Sequence, residues 1–293
     1  MARTDVEIRS LITATDIDTL PDTSVIEDRG EYVVIRSPSN PSHYWGNFLV
    51  WRSPPVSGDR ERWEAAFEAE FGVERESTHV AFSWDVPGGG PPGEVEQFVE
   101  AGYEADGDVG LIATPAELTP HPRAATDVTI ELLDPEGDEQ GWLDAIELQV
   151  ENRDAGHDET FHRRFVERRM ADRRERFLHG DGGWFLARTR EGDVAASCGV
   201  IVTQGRARFQ AVDTLERFRR RGIASRLVHD VGRAAIDRFG AETLVIVAEA
   251  GYHALPLYES LGFVQREHGF GLCWWPGSEH AGRHPRFEPS SDQ

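Results

Sequence analysis

The sequence contains no lysine. All 31 basic side chains of the 293 residues are arginine, set against 52 Asp and Glu, which leaves a formal net charge of -21. Such a surface repels polyanions, which excludes nucleic acid and anionic membranes as partners. It suits concentrated salt, where screening removes most of the self-repulsion, so a halophilic cytoplasm is the expected setting. Cysteine is nearly absent too. Cys198 and Cys273 lack metal-ligand spacing, fall in predicted strands and read as buried free thiols. No apolar run approaches the roughly 20 residues that span a bilayer, and the opening MARTDVEIRS lacks the apolar core of a signal peptide. A soluble, cytoplasmic monomer or homodimer is expected. The hydrophobic content of 39% suffices for real cores, and the length suits one large or two ordinary domains.

The most informative stretch runs from Ala211 to Phe239, AVDTLERFRRRGIASRLVHDVGRAAIDRF. It begins as a strand, because Phe209 and Ala211 alternate with polar side chains. It ends as an amphipathic helix carrying Ile223, Leu227, Val231, Ala234 and Ala235 on one stripe. Between them lie Arg219, Arg220, Arg221, Gly222, Ile223, Ala224 and Ser225. A loop entering a helix presents free backbone N–H groups, the helix dipole adds partial positive charge, and three arginines add full charge. Gly222 and Ala224 let a bulky anion approach the backbone. This is a phosphate cradle.

Arg219-x-x-Gly222-x-Ala224, preceded by Val212-x-Thr214, resembles the coenzyme A loop of the GNAT family of N-acetyltransferases. A second match follows in the LVIVAEAG and HALPLYESLGF segments, Leu244–Gly251 and His253–Phe263. The resemblance covers about 127–275 well and the first half weakly. It implies a mixed α/β (α+β) fold with a central, mostly antiparallel sheet flanked by helices, and acetyl-CoA as co-substrate. The partners it implies are a coenzyme A thioester and a small amine or peptide acceptor.

In the first half, strands are predicted at 32–36, 44–51, 79–85 and 109–114, with helices at 60–71 and 94–101; residues 1–27 show little periodicity. This order repeats that of the second half, so residues 1–120 are expected to form either a degenerate GNAT-like domain or an unrelated α+β domain. Its loop lacks the arginine–glycine pattern, and Pro54 and Pro55 remove two N–H donors. The proline-rich TPAELTPHPRAAT is the predicted linker to a catalytic domain at 121–276, and 277–293 is a polar tail read as disordered. An Arg-rich helix at 159–178 is expected to bury Phe161, Phe165, Val166 and Met170. It reads either as a solvated, salt-bridged face or as a clamp for an acidic substrate or a coenzyme phosphate.

Transfer from a thioester to an amine needs a neutral amine, a stabilised oxyanion and a protonated leaving thiolate. The resemblance implies that the backbone amide of Val212 polarises the thioester carbonyl and that Tyr258 protonates the sulfur, against a helix residue that only packs beside the cofactor. Glu249, at a predicted strand end with Tyr252 and His253 nearby, is the candidate base, against a plain surface carboxylate. Gly251 stands where many relatives carry an Asn that contacts coenzyme A. Two further readings stay open: an acyl-CoA-binding regulatory module without turnover, and an interaction protein that has lost activity.

Overall fold

The computed structural model describes residues 6–72, 78–88, 90–153, 156, 158–278 and 280–284. The chain forms two compact units, Met1–Val109 with Glu267–Gln293, and Gly110–Arg266. The expected boundaries at 120 and 276 are therefore displaced, because the proline-rich segment is no free linker. Leu118 is buried, Thr119 N donates to Leu261 O at 3.0 Å and Ala125 N to Gly222 O at 3.0 Å. All of these partners lie in the second unit. The last strand of the chain belongs to the first unit rather than to the second. Residues 285–293 of the predicted tail lie outside the described residues.

The first unit contains α1 (Leu11–Asp18), β1 (Val25–Asp28), β2 (Tyr32–Arg36), β3 (Phe48–Trp51), α2 (Asp59–Phe71), β4 (Val80–Trp84) and α3 (Glu96–Glu100). Strand β5 (Glu104–Ala113) leads the chain into the second unit. There follow β6 (Val128–Leu132), α4 (Glu139–Glu151), α5 (Glu159–Leu178), β7 (Gly182–Thr189), β8 (Val194–Thr203), β9 (Arg206–Thr214), α6 (Ile223–Phe239), β10 (Thr243–Glu249) and α7 (Leu255–Ser260). Strand β11 (Val264–Trp274) returns to the first unit.

In the first unit the strands lie in the order β1-β2-β3-β4-β11. All neighbours are antiparallel except β3 and β4. The core is aromatic: Trp63 of α2 stacks on Trp51 at 4.6 Å, and Phe67 and Phe98 meet Phe82 edge-on. Two elements depart from the sequence reading. Helix α1 escaped it because its β-branched Ile and Thr residues give weak periodicity; Ser10 caps it by accepting from Thr13 N at 3.2 Å. The expected strand 44–51 is cut to β3, with a 3-10 turn at Tyr44–Gly46. Asn47 breaks the extended run, accepting from Ser37 N at 2.9 Å and donating to Asn40 O and His43 O, since short amides compete with the ladder for backbone partners.

The second unit has the strand order β10-β9-β8-β7-β6. It is antiparallel except for the parallel pair β9 and β10. Helix α6 packs on β7, β8 and β9, burying Ile223, Leu227, Val228, Val231 and Ala235. A separate core brings Trp142 and Ala145 of α4 and Val166 and Met170 of α5 onto Trp184, Leu186 and Ile201. Helix α5 spans the predicted residues but buries a different stripe, namely Val166, Met170, Arg173, Arg176 and Phe177, while Phe161 and Phe165 are half-buried. Cys198 and Cys273 are both buried and free. Among the described residues no helix is long and apolar enough to cross a membrane.

Candidate functional site

Strand β9 is irregular where it matters. Its register with β8 passes from Gly199↔Gln210 to Ser197↔Asp213, so Ala211 and Val212 together stand opposite Cys198. This is a β-bulge, and Ala211 takes the left-handed conformation, φ 44°. On its other side β9 pairs with β10 only over Arg206–Arg208 and Thr243–Val245. Among the described residues the ladder ends there, although the strands run on to Thr214 and Glu249. Past Arg208 and Val245 the two strands form no ladder with each other, which leaves a slot between their ends. The half-buried residues Gln210–Thr214 edge it, and their backbone groups on that side take no ladder partner from β10.

The segment after β9 bends over the end of this slot. Leu215 and Phe218 are buried anchors, Arg219 is extended, and Arg220 (φ 62°) and Gly222 (φ 77°) are left-handed. Gly222 caps α6 with no side-chain hydrogen bond. The first intrahelical donor is Arg226 N, to Gly222 O at 3.2 Å, so the amides of Ile223, Ala224 and Ser225 point out of the helix unpaired by it. Arg219 Nε donates to Thr214 O at 3.0 Å, Arg221 lies 3.5 Å from Asp127, and all three arginines are exposed. The glycine has a reason the sequence reading did not give. A Cβ on Gly222 would lie 2.1 Å from Arg123 O, so it is the proline-rich segment, as much as any ligand, that needs the space.

Tyr258 reaches the same region from α7. It is 4% exposed, and no hydrogen bond to a described residue reaches its hydroxyl. Burial pushes its phenol above the ordinary range, with Tyr252, Cys198 and Asp213 adding to the shift. Burial raises the Cys198 thiol as well, and Asp213 adds to it. Tyr258, Cys198 and Asp213 thus share one electrostatic neighbourhood at the bulge. Glu249 is exposed at the last residue of β10, where its carbonyl accepts from Tyr252 N at 2.9 Å. His253 is exposed, with its ring tilted against that of Tyr252 at 4.3 Å between centroids. Gly251 is left-handed, φ 85°, a conformation that Asn and Gly both tolerate, so the exchange leaves the turn intact.

Residues 188–272, under a third of the chain, match the model of the FR47-like protein family. A GCN5-related N-acetyltransferase from Kribbella flavida superposes with TM-score 0.63 at 16% identity, over 92% of this chain and 96% of that one. A conserved protein of unknown function from Staphylococcus epidermidis gives 0.64 at 16% identity, over 84% and 92%. A tandem GNAT protein from the clavulanic acid biosynthesis pathway gives 0.53 at 12% identity, over 89% and 86%. The fold is that of the GCN5-related N-acetyltransferases. No curated protein matches the sequence.

Within this GNAT fold, Val212, Thr214 and Arg219 to Ser225 line one continuous path from the bulge to the start of α6. Tyr258 approaches that path, and Glu249 stands exposed at the end of β10. Sequence reasoning missed Asp213, although it directly follows Val212. It also missed Gln210, because no spacing marks a bulge. In the first unit β3, α2 and β4 repeat the strand–helix–parallel-strand pattern, and Gly58 caps α2 in the left-handed conformation, φ 86°. There the cap region is filled from within: buried Asp59 accepts from Val56 N at 2.9 Å and from Arg62 at 2.8 Å.

Proposed function

We propose that this chain is an acetyl-CoA-dependent N-acetyltransferase that transfers the acetyl group directly to a primary amine of a small molecule or peptide, in the second unit. The observation that carries the reading is the slot where the β9–β10 ladder ends, which leads to a helix start without a side-chain cap and near which the buried residue Tyr258 stands. Acetyl-CoA supplies an activated thioester when bound. The amides of Gly222 to Ser225 hold its pyrophosphate, and Arg219, Arg220 and Arg221 add charge. The Val212 amide, turned by the bulge, donates to the carbonyl oxygen as negative charge develops there, and Thr214 lines the path. The amine nitrogen bonds to the acetyl carbon, the C–S bond breaks with its electron pair going to sulfur, and Tyr258 gives its proton to that sulfur. Two carboxylates serve to take the proton from nitrogen: Glu249, exposed and acting through water, and Asp213 beside the bulge.

We also infer that the first unit is a GNAT-like module that binds no coenzyme A. Its strand–helix–strand pattern supports the kinship, and the Asp59 carboxylate, where phosphate oxygens would sit, opposes an anion. The glycine at 251 and the exposure of Glu249 favour one other reading, an acyl-CoA-binding module without turnover.

The test is calorimetry with acetyl-CoA followed by release of free thiol over a panel of amines. Binding with amine-dependent thiol release is expected. Binding without release over the whole panel would favour the regulatory module, and absence of binding would reject both.

A further inference from the structure

Helix α5 is strongly basic for so acidic a chain, and the proposed acetyl transfer gives it no part. Its inward stripe carries Arg169, Arg173 and Arg176, spaced four and three residues apart and so aligned along one face. Arg176 donates to Thr203 Oγ1 at the end of β8, 2.7 Å. Arg173 donates to Gln210 Oε1, the residue before the bulge, 2.9 Å. Going back along the helix thus means going forward along β9. Arg169 lies one further turn back, in the direction that this register carries toward the bulge, and Asp213 favours its charged form.

Arg169, like Arg173, donates to a carboxamide. In the same unit Arg163, Arg174, Arg188, Arg217 and Arg233 pair with carboxylates at the surface. The hydrogen-bond partner of Arg169 is a carboxamide, Gln149 Oε1 at 2.5 Å, and its guanidinium lies 4.7 Å over the Phe165 ring. Gln149 is itself buried and fixed, donating to Ala145 O at 3.3 Å and to Met170 Sδ at 3.1 Å. An aromatic face and an oriented amide hold the planar fork without consuming its charge. A guanidinium so placed keeps N–H groups for a bidentate carboxylate, and burial makes its positive charge costly, a cost that Asp213 offsets in part and a bound carboxylate would offset further.

We propose that the acceptor is an amine bearing a carboxylate, an amino-acid-like molecule, and that Arg169 binds the carboxylate while the amine faces Val212 and Asp213. The inference rests on the acetyltransferase reading and names the substrate class of that same site. It gives the acceptor side a cation and an anion one helical turn from the bulge, which matches a zwitterion end for end. Phe165 then forms an apolar wall beside the carboxylate.

The test compares the twenty common amino acids with their carboxamides, reading thiol release from acetyl-CoA by wild type, Arg169→Gln and Arg169→Lys. Amidation lowers the basicity of the amine, so the neutral analogues hold more of the reactive unprotonated form, and a preference for carboxylates understates recognition. For the best acceptor, wild type is expected to favour the carboxylate on the order of 10- to 100-fold in kcat/KM, as two charge-assisted hydrogen bonds provide. Arg169→Gln should collapse that ratio, chiefly through KM, and Arg169→Lys should restore part of it, with acetyl-CoA affinity by calorimetry unchanged in both. Equal or better use of the carboxamides by wild type, or a ratio unmoved in Arg169→Gln, overturns the proposal. If no amine is turned over, amino acids are tested for a thermal shift of the protein saturated with coenzyme A, and no shift also overturns it. Failure to bind acetyl-CoA at all removes the parent reading, which keeps the two failures apart.

Discussion

Replacing Tyr258 by Phe separates chemistry from packing. The residue is almost fully buried, and among the described residues none hydrogen-bonds its hydroxyl, so the Phe side chain fits the same space. Deleting a hydroxyl that makes no hydrogen bond within the protein is neutral or mildly stabilising. The worked expectation is a gain of zero to about 1 kcal/mol, hence a melting temperature unchanged or up by roughly 2–4 °C. Activity should move the opposite way. The raised phenol keeps its proton throughout the neutral range, and loss of a general acid costs on the order of 10²-fold or more in turnover. A group acting only in the transition state lowers kcat and kcat/KM alike, so the Kd for acetyl-CoA should stay put. The assays are steady-state thiol release, calorimetry with acetyl-CoA and a thermal melt. Turnover near wild type would make Tyr258 a packing residue. A melting temperature several degrees lower would mean that the hydroxyl has a structural partner, and a fall in affinity alone would place it against the ground-state cofactor.

Further outcomes follow from other positions. Gly222→Ala should lower the melting temperature by several degrees, because the left-handed backbone alone costs an alanine about 1–2 kcal/mol and its Cβ would press on Arg123 O. Acetyl-CoA affinity should fall with it, and an unchanged melt would discredit the loop geometry. Titration should give one acetyl-CoA per chain, whereas two would mean that the Asp59 cap does not exclude phosphate. Burial lowers His79 from its ordinary 6.5 to about 4, so the native state holds it neutral. Stability is then present above pH 6.5 and lost as pH falls toward 4, on the order of 3 kcal/mol from this group. Denaturant midpoints between pH 7 and 4.5 should fall less steeply in His79→Asn, and parallel slopes would refute the assignment.

Much of the second unit is legible in its residues. The alternation of β7, β8 and β9, the stripe of α6 and the Arg-x-x-Gly-x-Ala loop are local patterns, and local patterns set local conformation. Harder to read were α1, hidden by β-branched residues, and β3, shortened by the hydrogen bonds of Asn47. The proline-rich segment reads as a linker from its composition alone. Pro120 and Pro122 mark it as irregular, but only the packing of Leu118 and the Ala125–Gly222 hydrogen bond make it part of a unit.

By itself the sequence determined the charge, the order of elements and a glycine-containing loop that enters a helix with unpaired amides, since these depend on composition and on neighbours within a few residues. The tertiary structure alone decided the rest. The bulge at Ala211 exists because β8 and β9 pair with one residue to spare, and the slot exists because β9 and β10 pair over three residues and then part. Arg169, Gln149, Asp213 and Tyr258 are far apart or unremarked in the chain. Their relation is set by a helix laid along a strand and by what each one buries, which is a long-range property of packing.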